Sequence, residues 1–250
     1  NIIDIKINKN YFKYFANFNE ETIQKNKLIT FIQNKGISIN DKRFYNEINK
    51  LSEKITFDEF IQLLNTNIIL FKKIFENELI ITNWESFTKN IDLIYEKIKD
   101  IDNGKLASYI PQLANVDPNL FSISVCSIDG QIYCCGDSNQ EFCVQSCSKP
   151  ISYLIASDLN GSEYIHNFVG REPSGKNFNE LCLNNDNLPH NPLINSGAIM
   201  CCSLIDYDNT LANRYDKVIN YWHKLAGDTK INFSTSVYLS EKNTADRNNC

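Results

Sequence analysis

The 250-residue sequence predicts an α+β chain in two parts, a helical N-terminal region followed by a mixed segment. Three observations lead there. Apolar residues recur at helical spacing through the first hundred positions. The pattern turns β-prone at Phe121 to Ile128 and at Gln131 to Cys135, on either side of Asp129-Gly130. Helical spacing returns from Ser146. The expected division is 1–100 helical region, 101–108 linker and 109–250 second domain.

The first helix read from the pattern runs from Glu20 to Gln33 and is closed by Gly36, a residue suited to the left-handed cap position. A short helix over Asp41 to Lys54 follows. Thr56 and Glu59 have capping-box spacing ahead of an apolar stripe of Phe60, Leu63, Leu64, Ile68, Phe71, Ile74 and Phe75. Residues 83–99 carry a similar stripe, Trp84, Phe87, Ile91, Ile94, Tyr95 and Ile98. Such stripes pack into cores. Paired helices around Ile55-Thr56-Phe57-Asp58-Glu59-Phe60 suggest an EF-hand-like arrangement. The oxygen-rich calcium loop is absent, so no calcium is expected and the region's role is packing or self-association.

Lys99 to Lys105 is charged, contains Gly104 and reads as a linker. Asp129-Gly130 between two β-prone runs signals a hairpin. Helices are expected from Ser146 to Leu159, from Asn195 to Asp206, and from Tyr215 to Ala226 with Gly227 as its stop. Glu172 to Pro192, rich in Asn, Pro and Gly, reads as a long loop, of a length that is usually functional or mobile.

A formal charge of -5 and the absence of Lys/Arg-rich stretches argue against a dedicated nucleic-acid binder. No window approaches the roughly 20 apolar residues of a membrane span. The chain has nine cysteines, all from Cys126 onward, and Cys134-Cys135 and Cys201-Cys202 are adjacent. That pattern suits reduced thiols better than a disulfide framework or a zinc site.

The chemistry concentrates at Gln145-Ser146-Cys147-Ser148-Lys149-Pro150. Pro150 lacks an amide hydrogen and fits the first turn of a helix. Ser146 then sits at the helix N-terminus and Lys149 one turn along. The positive end of the helix stabilises a developing oxyanion and disfavours the ammonium form of a nearby lysine. That layout lets a neutral lysine take the serine's proton, as in S-x-x-K acyl-serine enzymes. The plainer reading is an N-cap serine beside a solvated lysine. Ser86-Phe87-Thr88-Lys89 has the same spacing in mid-helix, without a terminus to activate it. Gly170 to Asn177 nearly fits a phosphate-binding loop, but Asn177 stands where a magnesium-binding hydroxyl is required.

Taken together, several stretches resemble the serine-dependent glutaminases, kidney-type enzymes among them: Tyr109-Ile110-Pro111-Gln112-Leu113, Gln145 to Pro150, Val169 to Gly175, His190 to Ile199, Ser240-Glu241 and Asp246-Arg247-Asn248. The resemblance implies a serine β-lactamase-like, DD-peptidase-like catalytic domain and hydrolysis of L-glutamine to L-glutamate and ammonia. It implies Ser146 as nucleophile, Lys149 as base and Tyr109 as an active-site tyrosine. Gln145, Ser146, Asn195, Glu241 and Asn248 would contact glutamine, and no metal or organic cofactor would be required. The segment Gly175 to Pro189, with Phe178 and Leu181, resembles the family's gating loop. A homo-oligomer, dimer or tetramer and phosphate-promoted, would follow, in the mitochondrial matrix or the cytoplasm. In the family, further active-site tyrosines, a second oxyanion donor and the remaining strands come after the position of Asn248. The domain is therefore expected to be incomplete and this chain to turn over little. Two alternatives stay open: a non-catalytic subunit that modulates assembly of a full-length glutaminase, and a β-lactam-interacting S-x-x-K protein, which would want S-D-N or Y-x-N and a later K-T-G; no S-D-N or K-T-G occurs.

Overall fold

Contacts group the chain into two units in the computed structural model, which describes residues 2–16, 21–177, 180, 182–227, 229–243 and 245. The first unit comprises Asn1–Gly104 and Asp117–Gln140, the second Lys105–Val116 and Glu141–Cys250. The units therefore interleave in sequence, with the hairpin segment grouped with the N-terminal helices.

In the first unit, α1 (Ile2–Phe15) precedes a short strand, β1 (Thr22–Gln24), and α2 (Lys25–Asn34). Then come α3 (Tyr45–Lys50), β2 (Lys54–Thr56), α4 (Phe57–Thr66), α5 (Ile68–Glu76) and α6 (Trp84–Ile98). β1 and β2 pair antiparallel, with Ile23 opposite Ile55. Both isoleucines are fully buried, and this pairing shortens the helices expected on either side. The capping box forms as expected: Glu59 N donates to Thr56 Oγ1 at 3.3 Å and Thr56 N donates to Glu59 Oε2 at 2.8 Å. The long apolar stripe is two helices, because Asn67 Oδ1 accepts from Leu70 N and starts a new one. Gly36 closes α2 at φ 81°, and a Cβ there would lie 2.3 Å from the Trp84 ring.

The core of this unit is phenylalanine-rich. Phe12, Phe15, Phe44, Phe60 and Phe71 are buried together, with Phe31 and Phe75 packed against them. Edge-to-face contacts such as Phe12 with Phe60 at 5.5 Å add to the burial energy.

β3 (Ser122–Cys126) and β4 (Ile132–Gly136) form the expected hairpin, with Val125 opposite Tyr133. Its turn is longer than a two-residue loop. Ser127 N donates to Gln131 O at 2.9 Å across Ile128, Asp129 and Gly130, and Gly130 supplies φ 90°. Tyr95 of α6 stacks on Phe121 at 5.5 Å, and Tyr133 donates to Asp92.

The hairpin tip is held by polar groups. Asp129, 8% exposed, accepts from Lys73 Nζ and from Ile80 N, each at 2.7 Å. Gln131, 0% exposed, donates to Lys35 O at 2.9 Å and Ile81 O at 3.0 Å, and accepts from Ile81 N at 3.1 Å. The Lys73 hydrogen bond holds the Asp129 carboxyl below the usual range, against the opposing effect of its own burial. A depressed folded-state value means the contribution is complete above the unfolded pKa of about 3.9 and disappears as pH falls through the folded value. Asp129→Asn should therefore destabilise the chain by roughly 1.5–3 kcal/mol near neutrality. The gap should close in acid, which denaturant titrations at several pH values would check.

The second unit contains six helices among the described residues: α7 (Pro111–Ala114), α8 (Lys149–Asn160), α9 (Ser162–Ile165), α10 (Asn195–Ser203), α11 (Leu211–Ala226) and α12 (Thr235–Asn243). Its core joins α8, α9 and α10 through Ile155, Ala156, Ile165, Val169, Cys201, Leu204 and Ile205. α11 starts earlier than the apolar spacing predicts, because Thr210 Oγ1 accepts from Asn213 N. The eight described cysteines are free thiols, and burial pushes Cys201 up to about 11. No helix among the described residues is long and apolar enough to cross a membrane.

Candidate active site

The site residues named from the sequence lie in the second unit, and Asn248 falls outside the described residues, as do Phe178 and Leu181 of the long loop. The chain enters through a 3-10 turn, Gln145–Ser148, that runs directly into α8. Lys149 opens the α-helix and Pro150 follows it, where the missing N–H breaks no ladder. The α-helix proper thus begins three residues later than the sequence suggests, with a tighter turn carrying the serine. Ser146 is exposed. Gln145 before it adopts φ 45°, left-handed backbone that a non-glycine residue enters at a cost of order 1–3 kcal/mol. Ser148 Oγ donates to Gln145 O at 2.7 Å and helps hold that turn.

Lys149 is half-buried, and its Nζ donates to Asn195 Oδ1 at 2.7 Å. Burial lowers its pKa from the ordinary lysine value, because the ammonium loses solvation. Asn195 is the first residue of α10, so the packing of α8 on α10 brings the amide to the amine.

A second group forms around Tyr109. Its Oη lies 2.9 Å from Gln145 Oε1 and 2.9 Å from Glu241 Oε1. A phenol has one proton to give. Donation to the Glu241 carboxylate, with the Gln145 amide turned so that its NH2 donates to the phenol oxygen, satisfies all three groups. Gln112 Nε2 donates to Ser236 O at 3.2 Å and ties α7, beside Tyr109, to α12, which carries Glu241. The fold thus makes two groups from segments distant in the chain: Lys149 with Asn195, and Tyr109 with Gln145 and Glu241. Ser146 stands between the two groups in sequence.

His166, unassigned from the sequence, is held between Tyr153 Oη and Val169 O, each at 2.8 Å. With Nδ1–H donating to the carbonyl and Nε2 accepting from the phenol, this histidine braces the fold. It lines a cleft of about 800 Å³ with Pro150, Tyr153, Arg171, Asn191 and Leu193. Ser146 and Lys149 are not among the lining residues. Among the described residues no group of three or more His, Cys, Asp or Glu could hold a metal ion.

The turn that carries Ser146 thus leads into a helix whose first residue, Lys149, is a half-buried lysine held by Asn195. Comparison with known proteins gives the family of the chain. The family model described as Glutaminase matches residues 104–250, and the chain belongs to that family. It is 37% identical over 238 residues to the mitochondrial liver isoform of glutaminase from Rattus norvegicus, covering 92% of this chain and 40% of that protein. It is 40% identical over 156 residues to the glutaminase of Corynebacterium glutamicum, covering 62% of this chain and 38% of that protein. The solved structure of "Probable glutaminase ybaS" superposes with a TM-score of 0.60 at 29% identity, covering 66% of this chain and 53% of that one. The chain spans about two fifths of the length of the curated relatives named here.

Proposed function

We propose that this chain carries the nucleophile and most of the glutamine-binding groups of an enzyme that hydrolyses L-glutamine to L-glutamate and ammonia. The observation that carries the reading is the half-buried Lys149 amine, held by Asn195, one turn along from exposed Ser146 at the entrance to α8. Lys149 takes the Ser146 proton as Oγ attacks the side-chain amide carbon of glutamine. The backbone N–H of Ser146 and the α8 terminus stabilise the tetrahedral oxyanion. The proton passes to the leaving nitrogen, ammonia departs, and a glutamyl ester remains on Ser146. Water, activated by the neutral lysine, hydrolyses the ester and releases glutamate. Glu241 pairs with the substrate ammonium, Tyr109 and Gln145 orient that carboxylate, and Asn195 and Asn248 bind the substrate carboxylate.

The domain proposed for this chemistry is 109–250, of serine β-lactamase-like fold; the family match beginning at 104 supports the boundary. The preceding helices are proposed to be an EF-hand-like module without calcium. The antiparallel pairing of β1, before α2, with β2, before α4, supports that reading. Assembly into a homo-oligomer and a mitochondrial matrix or cytoplasmic location are proposed from the family resemblance; the rat relative's name includes mitochondrial.

Glu241→Gln tests the substrate assignment. It removes the charge facing the ammonium while preserving shape. The concentration of glutamine that half-protects Ser146 from a glutamine-like diazoketone should rise on the order of 10- to 100-fold, the equivalent of one charge-assisted hydrogen bond. An unchanged half-protecting concentration would remove Glu241 from the site.

A further inference from the structure

We propose that Asn191 is a positioning residue that fixes Asn195 against Lys149 and, with the same side chain, ties together the two ends of the 172–192 loop; this rests on the acyl-serine reading above. Asn191 Oδ1 accepts from Leu193 N at 2.9 Å and from Ile194 N at 3.2 Å. Ile194 is the N-cap of α10, so by holding its N–H and that of Leu193 the Asn191 oxygen fixes the backbone immediately before the helix. Asn195, whose Oδ1 receives the Lys149 amine, is the next residue. Asn191 Nδ2 meanwhile donates to Glu172 O at 3.0 Å, at the opposite end of the loop.

Backbone contacts make this neck close-fitting. Glu172 N donates to His190 O at 3.0 Å and Gly170 N donates to Pro189 O at 2.7 Å. A Cβ at Gly197, on the first turn of α10, would lie 1.8 Å from Asn191 O. A Cβ at Gly170 would lie 2.6 Å from His190 O. Neither glycine has the positive φ of a turn, so each serves closeness of approach. The Asn191 side chain therefore ties the loop neck to the backbone that leads into Asn195, whose amide receives the Lys149 amine. Loss of the Asn191 oxygen frees the backbone at Leu193 and Ile194 and displaces Asn195, and a displacement of about 1 Å in such a group costs on the order of 100-fold in rate.

The two functions of Asn191 use different atoms, which makes them separable. Asn191→Asp keeps the acceptor for Leu193 and Ile194 and loses the donor to Glu172; Asn191→Ala loses both. In the full chain, the rate of Ser146 labelling by a glutamine-like diazoketone would be followed across pH, alongside tryptic cleavage after exposed Lys176. Asn191→Ala should label roughly 10- to 100-fold more slowly, with its pH midpoint moved toward the ordinary lysine value of about 10.4 as water reaches Lys149. Asn191→Asp should label within about threefold of the original chain, since the geometry at Asn195 is kept. Both should be cut faster at Lys176. Gly197→Ala should match Asn191→Ala in labelling. If Asn191→Ala does not fold, Asn191→Asp decides alone: slow labelling in a protein with an intact melting transition overturns the proposal, and so does cleavage at the original rate. Labelling of a folded Asn191→Ala at the original rate and midpoint also overturns it. Failure of the unmutated chain to label at all would count against the acyl-serine reading itself.

Discussion

Lys149→Met is expected to slow acylation of Ser146 by about 10²- to 10⁴-fold, the usual loss when a general base is removed. Methionine keeps much of the lysine's length and apolar body, so the packing of α8 against α10 should survive. The pH dependence separates this from a general disturbance. In the original chain the rate should climb as Lys149 loses its proton, with a midpoint below about 10.4 because burial lowers its pKa. In the methionine variant that climb should disappear. A variant that keeps the same profile at a lower amplitude would make Lys149 a structural residue, and the base would have to be sought elsewhere.

The largest expected stability effect lies far from this chemistry. Phe71→Ala should destabilise the first unit by about 3–5 kcal/mol, a large share of a domain's total. Phe71 is 1% exposed and sits between Phe44 at 5.3 Å and Phe75 at 6.2 Å. The core it belongs to lies wholly between Phe12 and Leu79, so the loss should fall on the helices and on the hairpin they hold. Denaturant melts followed by near-ultraviolet circular dichroism, which reports this aromatic cluster, would show it. A shift under 1 kcal/mol would mean that the ring is not packed as described.

Much of this was legible because it depends on neighbours in sequence. The Thr56/Glu59 capping box, Gly36 behind α2, the hairpin around Asp129-Gly130 and the Ser-x-x-Lys-Pro entry to α8 are each set by a few adjacent residues. What escaped depends on contacts between distant segments. β1 and β2 are three residues each, too short to show alternation, and exist because they pair with each other. Asp129 reads as a turn residue and Gln131 as the start of a strand, yet their side chains are buried against Lys73, Ile80, Ile81 and Lys35. Asn67 interrupts a continuous apolar stripe with a side-chain cap, a signal present in the sequence but outweighed by the stripe.

The site divides the same way. Ser146 and Lys149 are visible because helix geometry fixes their spacing. The link of Lys149 to Asn195, and that of Tyr109 to Gln145 and Glu241, come from tertiary packing; Tyr109, Gln145, Asn195 and Glu241 themselves were named only through family resemblance. Asn191 carried no signal of its own, since its importance lies in backbone groups that any residue at 172, 193 or 194 would present.

The most direct test is to locate the adduct. The chain would be treated with a glutamine-like diazoketone, whose diazomethyl carbon takes the serine oxygen and proton with loss of N2, then digested and mapped by mass spectrometry. The expected result is a single adduct on Ser146, suppressed by L-glutamine and absent from Ser146→Ala. An adduct on the exposed thiols of Cys143 or Cys147, insensitive to glutamine and unchanged in Ser146→Ala, would contradict the assignment of Ser146 as nucleophile.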